Sequence, residues 1–223
     1  MINHSLREEK LQQFVVNVEK WFRSFGRRFY WRINELSPYE FGVLEILLWK
    51  TKAETVEKFY KKFIEKYPTP ETLSKADLKS LEEDLRPLGL YKRRAILLKN
   101  FGRILTERSL TLPQNYQELS KLPGLGQYAA RAILCFAFDK PTVPIDTNVR
   151  RVLNRALKLK VKNIRKIDDN TEEFLKKLIK FSNSPKNFVW GLLDLGALIC
   201  KNKNPRCIDC PLQSICNWYQ KVN

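Results

Sequence analysis

The sequence predicts an all-α protein, on three observations. Apolar residues recur at helical spacing near the N-terminus, a proline-capped apolar helix follows, and no stretch alternates as a strand would. Residues 6–25 place Leu11, Phe14, Val15, Val18, Trp21, Phe22 and Phe25 on one stripe, the pattern of an amphipathic helix. A basic aromatic link, Arg27-Arg28-Phe29-Tyr30-Trp31-Arg32, leads to Ser37-Pro38-Tyr39-Glu40. There a serine N-cap, a proline at the first helical position and a glutamate placed to close a capping box stand together. The helix they open runs to about Trp49 and is apolar nearly all round (Phe41, Val43, Leu44, Ile46, Leu47, Leu48), so it belongs in the core. Further helices are predicted over 53–66, 75–85, 91–107, 126–138, 147–158, 171–181 and 186–200. Pro68, Pro70, Pro87, Gly89, Pro123, Gly124, Gly126 and Pro185 punctuate them.

At 223 residues, 43% hydrophobic and 29% charged, the chain can bury a core, which excludes a disordered tail. It has room for one large domain or two small ones sharing a cleft. It holds no run of eighteen apolar residues, and Met1-Ile2-Asn3-His4-Ser5 does not begin a signal peptide. A cytoplasmic protein that does not touch the membrane is expected. Lysine and arginine number 41 against 24 acidic residues, a formal charge of +17. Such an excess gathers polyanions and favours phosphate contacts, without separating DNA from RNA or anionic lipid.

Four stretches carry candidate chemistry. Leu122-Pro123-Gly124-Leu125-Gly126 precedes a helix rich in small residues, Ala129, Ala130 and Ala132. Glycines allow a sharp turn and close backbone approach, and the helix N-terminus offers amides to a phosphate. The same five residues also make an ordinary helix–helix turn. Asp146, twenty residues after Gly126, lies in Val143-Pro144-Ile145-Asp146-Thr147-Asn148-Val149-Arg150-Arg151. It is either a plain N-cap or a carboxylate set beside two arginines to act on a sugar. Glu45 falls among Phe41, Leu44 and Leu48 on one helical face. Lost hydration there raises a carboxyl pKa and suits a general acid, unless an arginine or lysine pairs with it. Cys135 stands alone, whereas Cys200-x6-Cys207-x2-Cys210-x5-Cys216 is compact and fits zinc or an iron–sulfur cluster. Gly89-Leu90 before Arg94-Ala95-Ile96-Leu97 faintly echoes Gly124-Leu125 before Arg131-Ala132-Ile133-Leu134, at different spacing and too weakly for a repeat.

Together these pieces resemble the helix-hairpin-helix DNA glycosylases, the superfamily of endonuclease III, the MutY adenine glycosylases and the Mig thymine glycosylases. The resemblance runs from Trp21 to Cys216 through Phe29-Tyr30-Trp31-Arg32, Pro38-Tyr39 with Glu45, the Leu-Pro-Gly-Leu-Gly hairpin, Asp146-x-Asn148-x-x-Arg151-Val152 and the cysteine loop. It implies two helical lobes with DNA in the cleft between them. One is a six-helix barrel over 34–146 and the other a cluster lobe from 1–33 and 147–223. It also implies a flipped-out target nucleotide, a 4Fe-4S cluster on Cys200, Cys207, Cys210 and Cys216, and a monovalent cation on the hairpin carbonyls. A monomer acting on double-stranded DNA is the form expected. Catalysis would fall to Glu45 as proton donor and Asp146 as the ionised partner that steadies charge on the sugar, with Tyr128 against the flipped nucleotide. DNA contacts would come from Leu122, Gly124, Gly126, Gln127, Arg131, Arg150 and Arg151, and the wedge from Trp49, Lys50, Leu90 and Tyr91.

Departures narrow the subfamily. Tyr128 stands where bifunctional relatives of endonuclease III carry a catalytic lysine, so a monofunctional hydrolase is expected. Leu44-Glu45-Ile46-Leu47-Leu48-Trp49-Lys50-Thr51 resembles the Mig type and lacks the Gln-Gln of MutY proteins. The chain also ends seven residues after Cys216, short of the domain with which MutY inspects 8-oxoguanine. Thymine or uracil opposite guanine is the expected substrate, with adenine opposite 8-oxoguanine the alternative. A DNA-damage sensor without catalysis and a zinc-stabilised transcription factor are the rivals from other classes.

Overall fold

Ser37 accepts from the Glu40 amide at 3.3 Å while the Glu40 carboxylate accepts from the Ser37 amide at 2.7 Å. The capping box thus closes as the sequence predicts. The computed structural model describes residues 8–109, 111–164 and 166–222. Its helices are α1 (Glu8–Phe25), α2 (Tyr30–Ile33), α3 (Pro38–Leu48), α4 (Ala53–Lys66), α5 (Pro70–Lys75), α6 (Leu78–Leu85), α7 (Tyr91–Glu107), α8 (Tyr116–Leu119), α9 (Gln127–Phe136), α10 (Thr147–Leu157), α11 (Asp169–Ile179), α12 (Pro185–Asp194) and α13 (Tyr219–Val222). No strand occurs among the described residues, and the all-α expectation holds.

The departures from the predicted helices have local causes. The helix expected over 75–85 starts only at Leu78, because Asp77 caps α6 by accepting from the Ser80 amide at 2.9 Å, and an unpredicted helix, α5, precedes it, opened by Thr69 and Pro70. Helix α11 begins two residues earlier than expected, since Asp168 accepts from the Thr171 amide at 2.9 Å. The helix expected over 186–200 ends as a π-turn at Leu195–Ile199. Positions 6 and 7 of the first predicted helix lie outside the described residues. Phe25, expected on its buried stripe, is 69% exposed, because the helix ends there; its ring lies 6.4 Å from that of Trp21.

The chain divides into two compact units, one of Arg28–Phe138 and the other of Met1–Arg27 with Asp139–Asn223. In the first unit α3 packs against α4, α7 and α9, so Val43, Leu44, Ile46 and Leu47 are buried. Polar groups at its head are met in turn: the Tyr60 hydroxyl donates to the Glu40 carbonyl at 3.0 Å, and the Tyr39 hydroxyl to that of Tyr67 at 2.9 Å. Helix α3 is therefore a rigid, central post, and whatever stands on it is fixed.

In the second unit α1 lies on α12, with Phe14 edge-on to Phe188 at 6.2 Å, and α10 lies on the π-turn. Asp194 is fully buried and held by Arg27 through Nε at 2.8 Å, Nη2 at 2.6 Å and the backbone amide at 2.8 Å. A buried ion pair of this kind is costly to break from one side, so Arg27→Ala should destabilise the unit by about 3 kcal/mol. At the π-turn, a Cβ on Gly196 would stand 2.6 Å from that of Asn148. Only glycine lets the turn come this close to α10.

Candidate nucleic-acid interface and active site

Glu45 is 7% exposed on α3. No hydrogen bond or ion pair reaches its carboxylate among the described residues, so burial acts unopposed and pushes its pKa up to about 8. The pairing with a lysine or arginine that sequence allowed does not occur among those residues. The next residue, Ile46, supports the hairpin: a Cβ on Gly124 would meet Ile46 Cγ1 at 2.9 Å, and Gly124 has φ +79°. Both facts require glycine. The Leu125 amide donates to the Leu122 carbonyl at 3.1 Å, closing the turn. Gly126, extended at φ −88°, faces open space and leads into α9 with no side-chain cap, and Gln127 is exposed beside it. A ligand backbone can approach the first amides of α9 closely. Tyr128, the second residue of α9, is half-buried, whereas Leu122 is buried and can offer only its backbone. Arg131 is also buried, its guanidinium 4.4 Å over the Tyr116 ring.

Two loops of the same unit carry the wedge candidates. Trp49 follows α3 with Lys50 Nζ 5.6 Å and Arg93 Cζ 4.8 Å from its ring centroid. Leu90 precedes α7 and is 48% exposed, and Tyr91 beside it stacks under Arg86 at 5.4 Å. Lys50 and Leu90 both hold left-handed backbones, φ 55° and φ 48°.

Asp146, in the other unit, is the N-cap of α10. It accepts from the Val149 amide at 2.7 Å and from Asn148 Nδ2 at 3.1 Å. Burial raises its pKa, and those hydrogen bonds, together with the charge of Arg151, act in the opposite direction. The N-cap reading of Asp146 is the one that these hydrogen bonds show. Arg151, expected at the DNA, spends its donors inside the protein, on Cys200 O at 2.6 Å, Gly196 O at 2.6 Å and Asn148 Oδ1 at 2.8 Å. A continuous hydrogen-bonded path therefore runs from Asp146 through Asn148 and Arg151 to the first clustered cysteine. Asn148 is the link between Asp146 and Arg151, a part that its residue type does not announce. Arg150 donates to Lys162 O at 3.2 Å and stays half-exposed.

The four cysteines are thiols in this structure, and no group of three His, Cys, Asp or Glu among the described residues is arranged for a single ion. Burial first, then the neighbouring thiols, hold the Cys210 pKa up at about 12, and burial with Cys200 and Cys216 raises that of Cys207. Neighbouring sulfurs thus raise the pKa of Cys207 and Cys210, so the set as thiolates needs positive charge beside it. Arg155 supplies some, with Nη1 donating to Cys200 Sγ at 3.5 Å. The donor set fits an iron–sulfur group. Cys135 lies apart, fully buried on α9.

Comparison with known proteins decides the family. Residues 43–181 match the family described as HhH-GPD superfamily base excision DNA repair protein. The chain belongs to this superfamily. Among superfamily relatives, the thymine/uracil-DNA glycosylase of Methanothermobacter thermautotrophicus is 31% identical over 216 residues, covering 96% of this chain and 97% of that protein. The adenine DNA glycosylase of Buchnera aphidicola subsp. Baizongia pistaciae is 35% identical over 211 residues, covering 92% of this chain but 58% of its own length. The chain thus spans little more than half of that adenine enzyme. Among solved structures, a thermostable thymine-DNA glycosylase superposes with a TM-score of 0.88 at 30% identity, covering 96% of this chain and 98% of its own. Among the described residues no helix is long and apolar enough to cross a membrane.

Proposed function

We propose that this protein is a monofunctional DNA glycosylase of base excision repair that removes thymine or uracil opposite guanine. The observation that carries the mechanism is Glu45, a carboxyl whose pKa, at about 8, keeps it protonated at neutral pH. After the nucleotide is flipped out of the duplex, Glu45 gives its proton to the departing base. Asp146, ionised, offsets the positive charge that builds on the sugar; water then bonds to C1′ and gives its proton to the Glu45 carboxylate, which restores the acid. Tyr128 packs against the flipped nucleotide and has no amine, so no Schiff base forms with the sugar and the strand stays whole.

DNA is held by the backbone of Leu122, Gly124 and Gly126, by Gln127, and by Arg150 at the head of α10. Arg131 and Arg151 hold the walls behind them, and hairpin carbonyls take a monovalent cation beside a phosphate. We assign the barrel lobe to the unit of Arg28–Phe138 and the cluster lobe to that of Met1–Arg27 with Asp139–Asn223, which moves Asp146 out of the 34–146 lobe that the resemblance implied. Cys200, Cys207, Cys210 and Cys216 would hold a 4Fe-4S cluster, which supplies a cross-link that ties the loop to its lobe and a redox-active centre. The protein works as a monomer with the chromosome in the cytoplasm.

The thymine or uracil reading rests on the full-length likeness to the Methanothermobacter enzyme and to the thermostable thymine glycosylase. Adenine opposite 8-oxoguanine is the second reading, favoured by 35% identity to the Buchnera enzyme. Labelled duplexes bearing T·G, U·G, A·8-oxoguanine or an oxidised pyrimidine separate them. Base loss from T·G and U·G, with strand breaks only after alkali, is expected. Cleavage without alkali, or protein trapped on DNA by borohydride, contradicts the monofunctional mechanism.

A further inference from the structure

Arg94 heads the fully buried side chains by size, at 0% exposure. A charged guanidinium taken out of water is costly unless every donor is met. Among the described residues five acceptors meet its five N–H groups, and none is a carboxylate. Nε donates to Ile46 O at 3.3 Å, Nη1 to Leu88 O at 3.1 Å and to Gly89 O, and Nη2 to Trp49 O at 2.6 Å and Thr51 Oγ1 at 2.8 Å. Thr51 Oγ1 in turn donates to Leu88 O at 3.2 Å. One side chain on the first turn of α7 therefore ties the end of α3 to both loops that carry the wedge candidates.

Those loops carry strain. Lys50, Gly89 and Leu90 all have positive φ, at 55°, 68° and 48°. For Lys50 and Leu90 that costs about 1–2 kcal/mol each. Leu90 also leaves an apolar side chain half in water. Strain of this kind persists only where the surroundings over-determine it, and the Arg94 bonds do so from both sides.

We propose that Arg94 is a positioning residue for base-pair recognition, holding Trp49, Lys50 and Leu90 in their duplex-entering conformation before DNA arrives. This rests on the reading of the chain as a DNA glycosylase. Preformed wedges lose little freedom on binding, so the energy of unstacking the target is met by contacts and not spent on ordering loops. Arg94 touches no phosphate in this scheme. Its loss acts on discrimination between duplexes and leaves the general grip on DNA in place.

The test uses Arg94→Lys, which keeps the charge but offers fewer donors, and Thr51→Val, a near-isosteric change that keeps the fold if Arg94→Lys does not. Amide hydrogen exchange of the free protein reads the loops, and affinity for a T·G duplex relative to a fully paired one reads recognition. Exchange should rise at 49–52 and 88–92 but not across the other helices. The T·G preference should fall about tenfold in Arg94→Lys and less in Thr51→Val, as expected for lost hydrogen bonds to a charged group. Affinity for the paired duplex should stay within about twofold, because the phosphate contacts are untouched. Faster loop exchange with an unchanged preference overturns the proposal, as does a fall in preference that comes only with faster exchange throughout the protein. A wild-type protein that prefers no mismatched or damaged duplex overturns the functional reading itself, before either variant is made.

Discussion

Glu45 and Asp146 are both carboxylates withdrawn from water, and the two regions treat them differently. On α3 the surroundings are apolar and no partner reaches Glu45 among the described residues, so burial alone sets its proton affinity. At the head of α10 the Val149 amide, Asn148 and the charge of Arg151 work against burial at Asp146. Burial thus raises the proton affinity of both, unopposed at Glu45 and partly offset by partners at Asp146. The difference comes from hydrogen-bond partners and not from depth, and pairs of this kind mark acid and base assignments in catalysis.

Removing either half of the pair should have the largest effect. Glu45→Gln and Asp146→Asn should each slow base release roughly 10²–10⁴-fold under single-turnover conditions. Duplex affinity should hardly move, since neither group is part of the phosphate grip. Asparagine caps a helix about as well as aspartate, so Asp146→Asn should leave α10 in place and isolate the loss of charge. Full activity in both variants would break the comparison altogether.

The cysteine loop is tied to the Asp146 side, where Arg151 links Asn148 to Cys200 O within one unit. Cys207→Ser should release iron, remove visible absorbance and lower the thermal midpoint. Cys135→Ala, on α9 of the other unit, should keep iron and colour. Zinc without iron in protein prepared without air would contradict the cluster.

A smaller effect distinguishes the carboxylates by stability. The folded-state pKa of Glu45, about 8, lies above its ordinary value of 4.5. Below pH 4.5 folded and unfolded chains both hold this proton and it costs nothing. Between pH 4.5 and about 8 the unfolded chain loses it while the folded chain keeps it, so stability from this group falls as pH rises through that window. Glu45→Gln removes the penalty. Its thermal midpoint should exceed that of wild type by about 10 °C at pH 8, and the gap should close at pH 4.5. A pH-independent gap would place the cause elsewhere.

Much of this was legible in the sequence, and the limits are instructive. The Ser37 capping box and the all-round apolar pattern located α3, and with it the buried Glu45, because those signals are local. The hairpin glycines were legible too, though only Gly124 is required sterically; Gly126 has open space about it. Arg94 was hidden, since an arginine beside Arg93 in a basic chain reads as a solvated face. Four of its five acceptors are backbone carbonyls, and backbone acceptors leave no trace in residue type. Arg131, its counterpart in the faint internal echo, is also buried. The π-turn before Cys200 escaped for a related reason. The close approach of Gly196 to Asn148 and the bond from Arg151 are made by tertiary packing, and helical periodicity runs straight through them.

The most direct test is the titration of the Glu45 carboxyl carbon by NMR in ¹³C-labelled protein, assigned by its disappearance in Glu45→Gln. A midpoint of about 8 is expected, with the proton held through neutral pH. A midpoint near 4.5 would show an ionised glutamate at working pH and contradict its part as proton donor.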